Sequence, residues 1–273
     1  MSLILKSFLT FSLILNCAWA ENTALRKEAL KFWDARDQKE SLEQAIVKFE
    51  QLHKETPTDT EYLVYLTRAL FLKGVNFGKD KDERMDLFEK AFEYGERALE
   101  TNAEYASRKK KNDDVKYMVK ALGINEVPQM YWTAVSIGKF AKANGIMSSL
   151  KYKSKILALI ERVEELKPDY FYGAVDRYWG AYFAVIPSII GKDLKKSKKH
   201  FEKSQAMGPE YVGTKVLKAE TYYVEKEDKK GFKEILSEVL ADKSHDHHPE
   251  LGPENRLEKI KAQKLLDDVK ELF

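Results

Sequence analysis

Ala45, Phe49 and Pro57 are spaced as Ser197, Phe201 and Pro209 are: a small residue, an aromatic four positions on, then a proline. Four residues bring an α-helix back to the same face, so the small side chain admits a neighbouring helix and the ring fills the groove one turn later; the proline ends the helix. Ile156, Ile160 and Pro168 keep this spacing with larger side chains, and Ala91, Gly95, Ala98 and Ala103 keep it without the proline. One copy would say little, because any amphipathic helix sets apolar residues four apart. Two clean and two decayed copies predict a succession of helical pairs.

The helix-ending positions fall at 57, 103, 168 and 209, unevenly and more widely than the ~34-residue period of tetratricopeptide repeats. The expected fold is therefore all-α, an irregular tetratricopeptide-like solenoid with insertions and no strands, since no stretch alternates with period two. Such arrays offer concave surfaces and bind more often than they catalyse. Turn chemistry sets the boundaries: Thr58 or Asp59 caps a helix over Thr60–Lys73, Gly123 ends one begun at Asp114, Pro128 opens one that runs to Lys142, and Gly145 follows it. Further helices are expected over Phe171–Val185, Gly213–Val224 and Pro253–Leu272. In the last, Leu257, Ile260, Leu265, Leu266 and Val269 form an apolar stripe suited to capping the array.

Residues 1–20 read as an export signal: Lys6, an apolar run from Phe8 to Leu15, and a small-x-small end at Ala18-Trp19-Ala20. The mature chain is expected to be one helical-repeat domain over 21–273, delivered to the periplasm. Cys17, the single cysteine, sits in a lipobox-like Ile14-Leu15-Asn16-Cys17, but asparagine is a poor residue before a lipidated cysteine. Without Cys17 the chain has no thiol for disulfide, catalysis or metal. The formal net charge of +3 among many charges of both signs points to neither nucleic acid nor an anionic membrane. The basic run Arg108–Lys111, followed by Asp113 and Asp114, reads as a solvated loop.

The densest aromatic stretch holds Tyr170, Phe171, Tyr172, Tyr178, Trp179, Tyr182 and Phe183, with Asp176 and Arg177 among them. On one helix, Phe171, Val175, Tyr178 and Tyr182 share a face while Tyr172, Trp179 and Phe183 lie toward another, so rings surround more of the helix than one core contact requires. Either this is repeat core or part of it lines a ligand cavity. Arg177 among apolar residues needs a carboxylate, from Asp176 or from a ligand. Tyr131 and Trp132 begin the helix containing Gly138, an unfavourable residue there unless close packing or a ligand compensates; close packing is expected. The candidate ligand-binding residues are Tyr131, Trp132, Tyr172, Arg177, Tyr178, Trp179, Tyr182 and Phe183.

His245, Asp246, His247 and His248, with Glu250 and Glu254 nearby, form the one metal-like grouping, on a proline-bounded loop that fixes no pair of histidines on one face. His53 and His200 read as surface residues. No nucleophile elbow, phosphate loop or dinucleotide fingerprint occurs, so no catalytic residue, cofactor or metal is assigned.

Val127-Pro-Gln-Met-Tyr-Trp132, Gly138-Lys-Phe-Ala-Lys-Ala-Asn-Gly145, Tyr170-Phe-Tyr-Gly173, Arg177-Tyr-Trp-Gly180 and the ending from Glu254-Asn255 to Phe273 resemble the T component of tripartite ATP-independent periplasmic (TRAP) transporters. The resemblance covers most of the mature chain. It implies an all-helical, non-enzymatic accessory protein that forms a homotrimer, associates with a periplasmic solute-binding P subunit and holds a channel for a hydrophobic or amphipathic ligand. A general periplasmic adaptor that binds a peptide or helix is the alternative.

Overall fold

A computed structural model describes residues 22–273; the expected export signal and Cys17 lie outside the described residues. The chain forms α1 (22–34), α2 (Lys39–Glu55), α3 (Thr60–Asn76), α4 (Lys81–Glu100), α5 (Ala103–Lys110), α6 (Val115–Val119), α7 (Val127–Ala143), α8 (Ile146–Leu166), α9 (Tyr170–Val185), α10 (Leu194–Met207), α11 (Gly213–Lys218), α12 (Lys229–Ala241), α13 (Gly252–Asp267) and α14 (Val269–Leu272). A π-helical segment, Ala219–Tyr223, continues α11. The described residues contain no strand, and the fold is all-α as expected.

Local chemistry accounts for the ends. The carboxylate of Asp59 accepts from the Glu61 amide at 2.9 Å and caps α3; Pro128 occupies the first turn of α7, and Gly145, at φ 102°, separates α7 from α8. The basic run is not the expected loop. Arg108 to Lys110 end α5, where cations meet the negative helix terminus; Arg108 bonds Glu104 and lies over the Tyr117 ring, and Lys109 bonds Glu96 and Glu100. The helix begun at Asp114 stops at Val119, before Gly123.

Successive helices pack in sequence, α2 on α3, α3 on α4, α4 on α7, α7 on α8 and α9 on α10. The small–aromatic positions sit in these contacts: Ala45, Phe49, Ser197 and Phe201 are fully buried. A Cβ on Gly180 would lie 2.8 Å from the Phe201 ring, and Ser197 Oγ donates to the Gly180 carbonyl at 2.7 Å. Three apolar clusters follow one another along the chain, over α1–α4, α4–α9 and α11–α14. In the C-terminal segment Leu257 is buried and Leu265, Leu266 and Val269 pack on the third cluster, whereas Ile260 is 67% exposed and leaves the expected stripe. The start of α13 does more than cap, because it returns to the N-terminal helices.

Candidate functional site

The aromatic segment does not begin as a helix. Phe171, Tyr172 and Gly173 have φ of 42°, 58° and 71°, a left-handed turn that costs L-residues about 1–2 kcal/mol each. Phe171 and Tyr172 are therefore off the helical faces that periodicity assigns them. Arg177 holds this turn: Nη1 donates to the Tyr172 carbonyl at 3.1 Å and to Thr214 Oγ1 at 3.2 Å, and Nη2 donates to the Phe171 carbonyl at 3.3 Å. Ser204 donates to the Gly173 carbonyl at 2.8 Å. The expected carboxylate for Arg177 is absent from its partners among the described residues. Asp176 pairs instead with His200 at 2.8 Å and Lys203 at 3.0 Å, which also removes His200 from the surface role.

The turn aims the Phe171 ring at Trp132, 5.2 Å between centroids, and beneath the guanidinium of Arg68, 4.6 Å from the ring. Arg68 also lies 4.9 Å from Trp132 and 5.2 Å from Trp33. Its counter-charge comes from the far end of the chain: Glu254, 2% exposed, bonds Arg68 and, at 3.0 Å, Arg36. Arg256 adds a two-pronged bond to Asp37 at 2.7 and 2.9 Å. Burial opposes ionisation of Glu254, but Arg68 and Arg36 outweigh it and hold the carboxyl below the ordinary glutamate range. Helices α1–α3 and α13 are thus joined largely through charges.

Besides Arg177, the sequence-predicted site residues fall into three groups. Tyr131 and Trp132 are buried, with Tyr170 5.5 Å from Tyr131. Tyr178, Trp179, Tyr182 and Phe183 make a half-buried ladder along α9: Tyr178 stacks on Tyr182 at 6.1 Å, Trp179 packs on Phe183 at 6.0 Å and donates to Glu164 at 3.0 Å, and Phe183 stacks on His200. Tyr172 points elsewhere, its hydroxyl donating to Glu250 at 2.8 Å and its ring meeting His248; burial, and then this bond, push the phenol up to about 12. Burial raises the Tyr178 phenol, with Tyr182 and then Tyr131 adding to the effect. Tyr211, under Arg177 at 4.5 Å, is raised by burial, with Glu258 next in effect. None of the hydroxyls of Tyr131, Tyr178 and Tyr211 has a hydrogen-bond partner among the described residues.

The family model for the TRAP transporter T-component matches residues 39–273. The chain belongs to that family. It is therefore an accessory component of a TRAP-type transporter. No curated protein matches the sequence. No helix of this T-component, among the described residues, is long and apolar enough to cross a membrane.

Gly138 of the T-component is not close-packed: a Cβ there would meet nothing within 4 Å. Of the two compensations the sequence offers for this glycine, the expected one, close packing, is not what the structure has. Sequence reasoning also missed Arg68, one charge among many on its helix, and the role of Glu254, noted only as a neighbour of the histidine loop. A signal was present for Glu254, since the apolar stripe of α13 starts only at Leu257 and the Pro253-Glu254-Asn255 segment needs another partner. His53 is buried beside Arg97 and both burial and that cation lower its pKa. In the histidine loop, His248 Nδ1 accepts from the Glu250 and Leu251 amides, and no three His, Cys, Asp or Glu among the described residues converge to hold a metal.

Proposed function

We propose that this T-component is a non-enzymatic periplasmic accessory protein that forms a homotrimer, docks a solute-binding P subunit and carries a hydrophobic or amphipathic ligand along the inner flank of α7. The observation that supports the ligand is the set of partnerless phenols, Tyr131, Tyr178 and Tyr211, beside an α7 flank left open at Gly138. Rings supply apolar contact area while a few polar groups orient a bound molecule. Tyr131, Trp132, Tyr178, Trp179, Tyr182 and Phe183 remain its proposed wall; Tyr172 and Arg177 serve it by holding the turn that presents Phe171.

A second reading, a general adaptor for peptides or helices, draws support from a groove of about 520 Å³ between α2, α3 and α4, floored by Ile46, Leu70 and Leu87 and edged by Glu50, Lys73 and Arg97. The test is expression of residues 21–273 with the solute-binding protein encoded beside it. Sedimentation should give a trimer that captures this P subunit, and organic extraction should release a lipophilic molecule whose amount falls in Trp179→Ala while trimer content holds. A monomer that captures no P subunit would favour the adaptor.

A further inference from the structure

Helix α7 packs on α3, α4 and α8. Its remaining flank carries Tyr131, Val135, Gly138, Lys139 and Lys142, spaced by three or four residues and so stacked on one stripe. The stripe is graded. Tyr131 is buried at one end, Gly138 and Lys139 are half-buried, and Lys142 is exposed at the other. From Tyr131 to Lys139 the helix rises about 12 Å. Tyr178 of α9 lies near the buried Tyr131 end of the stripe, and at Gly138 a Cβ would meet nothing within 4 Å.

Lys139 makes no ion pair, hydrogen bond or ring contact among the described residues. The charges around it are committed or weak. Lys261 and Glu220 bond each other at 2.5 Å. Glu258 has no partner either, and burial pushes its carboxyl toward the neutral acid, with Lys261 opposing and Glu220 and Glu254 reinforcing. Burial, then Lys261, lowers the Lys139 ammonium against the pull of Glu220; Lys142 adds to the repulsion and Glu258 opposes it. A half-buried ammonium without a direct ion-pair partner is costly, and none of the carboxylates among the described residues bonds Lys139.

We infer that Lys139 selects the charge of the ligand: the α7 flank takes a carboxylate-bearing amphiphile, its carboxylate on the Lys139 ammonium and its apolar chain running toward Tyr131 and Tyr178. This rests on the ligand-carrying role proposed above and adds the head group and the direction of insertion. The ammonium is a point charge with three donors, which suits a carboxylate oxygen. A cationic head in the same place would face Lys139, Lys142 and Lys261 together.

Delipidated residues 21–273 would be titrated calorimetrically with decanoate, decanol and decylammonium, for wild type, Lys139→Met and Lys139→Arg, each checked by thermal unfolding. Wild type should bind one decanoate per protomer, at least tenfold tighter than decanol, with decylammonium not bound. Lys139→Met should bind decanoate no better than decanol, while its ligand-free melting temperature is equal to or above that of wild type, because an uncompensated charge is gone. Lys139→Arg should restore the preference. Unchanged decanoate affinity in Lys139→Met, or decanol bound by wild type as tightly as decanoate, overturns the assignment of Lys139 and leaves ligand carriage standing. Failure of folded wild type to bind any of the three overturns both.

Discussion

Glycine positions show how far a residue's identity depends on its surroundings. Gly173 sits at φ 71° with Ser204 backbone atoms 2.9 Å from where a Cβ would be, and Gly138 has nothing within 4 Å. Replacing each by alanine should have opposite effects. Gly173→Ala incurs the left-handed backbone cost of about 1–2 kcal/mol and must also displace a backbone segment, so its melting temperature should fall by several degrees. Gly138→Ala removes a helix-interior glycine into free space and should stabilise by up to about 1 kcal/mol, a rise of about 2–4 °C in a chain this long. Differential scanning calorimetry of the two variants distinguishes these outcomes. Neither difference is legible locally, since both glycines lie in segments with helical composition.

At the scale of the element, α9 is two things joined, a left-handed turn and a regular helix, and Arg177 is the clamp between them. Its guanidinium gives two carbonyls of the turn the donors that helical pairing would otherwise supply. Arg177→Met should leave those carbonyls unpaired at about 1–3 kcal/mol each, lowering urea stability and changing the near-ultraviolet dichroism of the rings around Phe171. Arg177→Lys should recover only part, since a single ammonium does not reproduce the planar fork. If ligand were lost from Arg177→Met with urea stability intact, the residue would be contacting ligand rather than clamping the turn. The amphipathic period of this segment was readable from Val175 onward; the reversal at Phe171–Gly173 was not. It is stabilised by Ser204 and Thr214, contributed by the next two helices.

For the whole molecule, the decisive contact is Glu254 between Arg36 and Arg68, which ties the last long helix to the first three. Removing one member of a buried ion cluster leaves the others uncompensated, so Glu254→Gln should destabilise by about 3–5 kcal/mol. Hydrogen exchange should accelerate in α1–α3 and α13 together, and less in α9 and α10. The pH dependence has a definite sign. The folded carboxyl titrates below the ordinary glutamate value of 4.5, so its contribution is complete above that pH and is lost as pH falls through the lower, folded pKa. Wild type should therefore lose stability more steeply than Glu254→Gln in the acid range below 4.5, as followed by chemical denaturation at stepped pH.

The all-helical class, most helix boundaries and the buried small–aromatic pairs were determined by the sequence alone. Helical period, proline and capping residues act over one or two turns, and they carry their meaning wherever the segment sits. The family was legible in the same way, as contiguous stretches such as Tyr170-Phe-Tyr-Gly173 and Arg177-Tyr-Trp-Gly180. Tertiary structure decided which charges are structural and which are free. Glu254 and Arg68, separated by 186 residues, become a buried pair, while Lys139, indistinguishable in sequence from any surface lysine, is half-buried with no ion-pair partner among the described residues. The reason is physical: a charge is defined by its distance to other charges and by the water it keeps. Both are set by where distant helices come to rest.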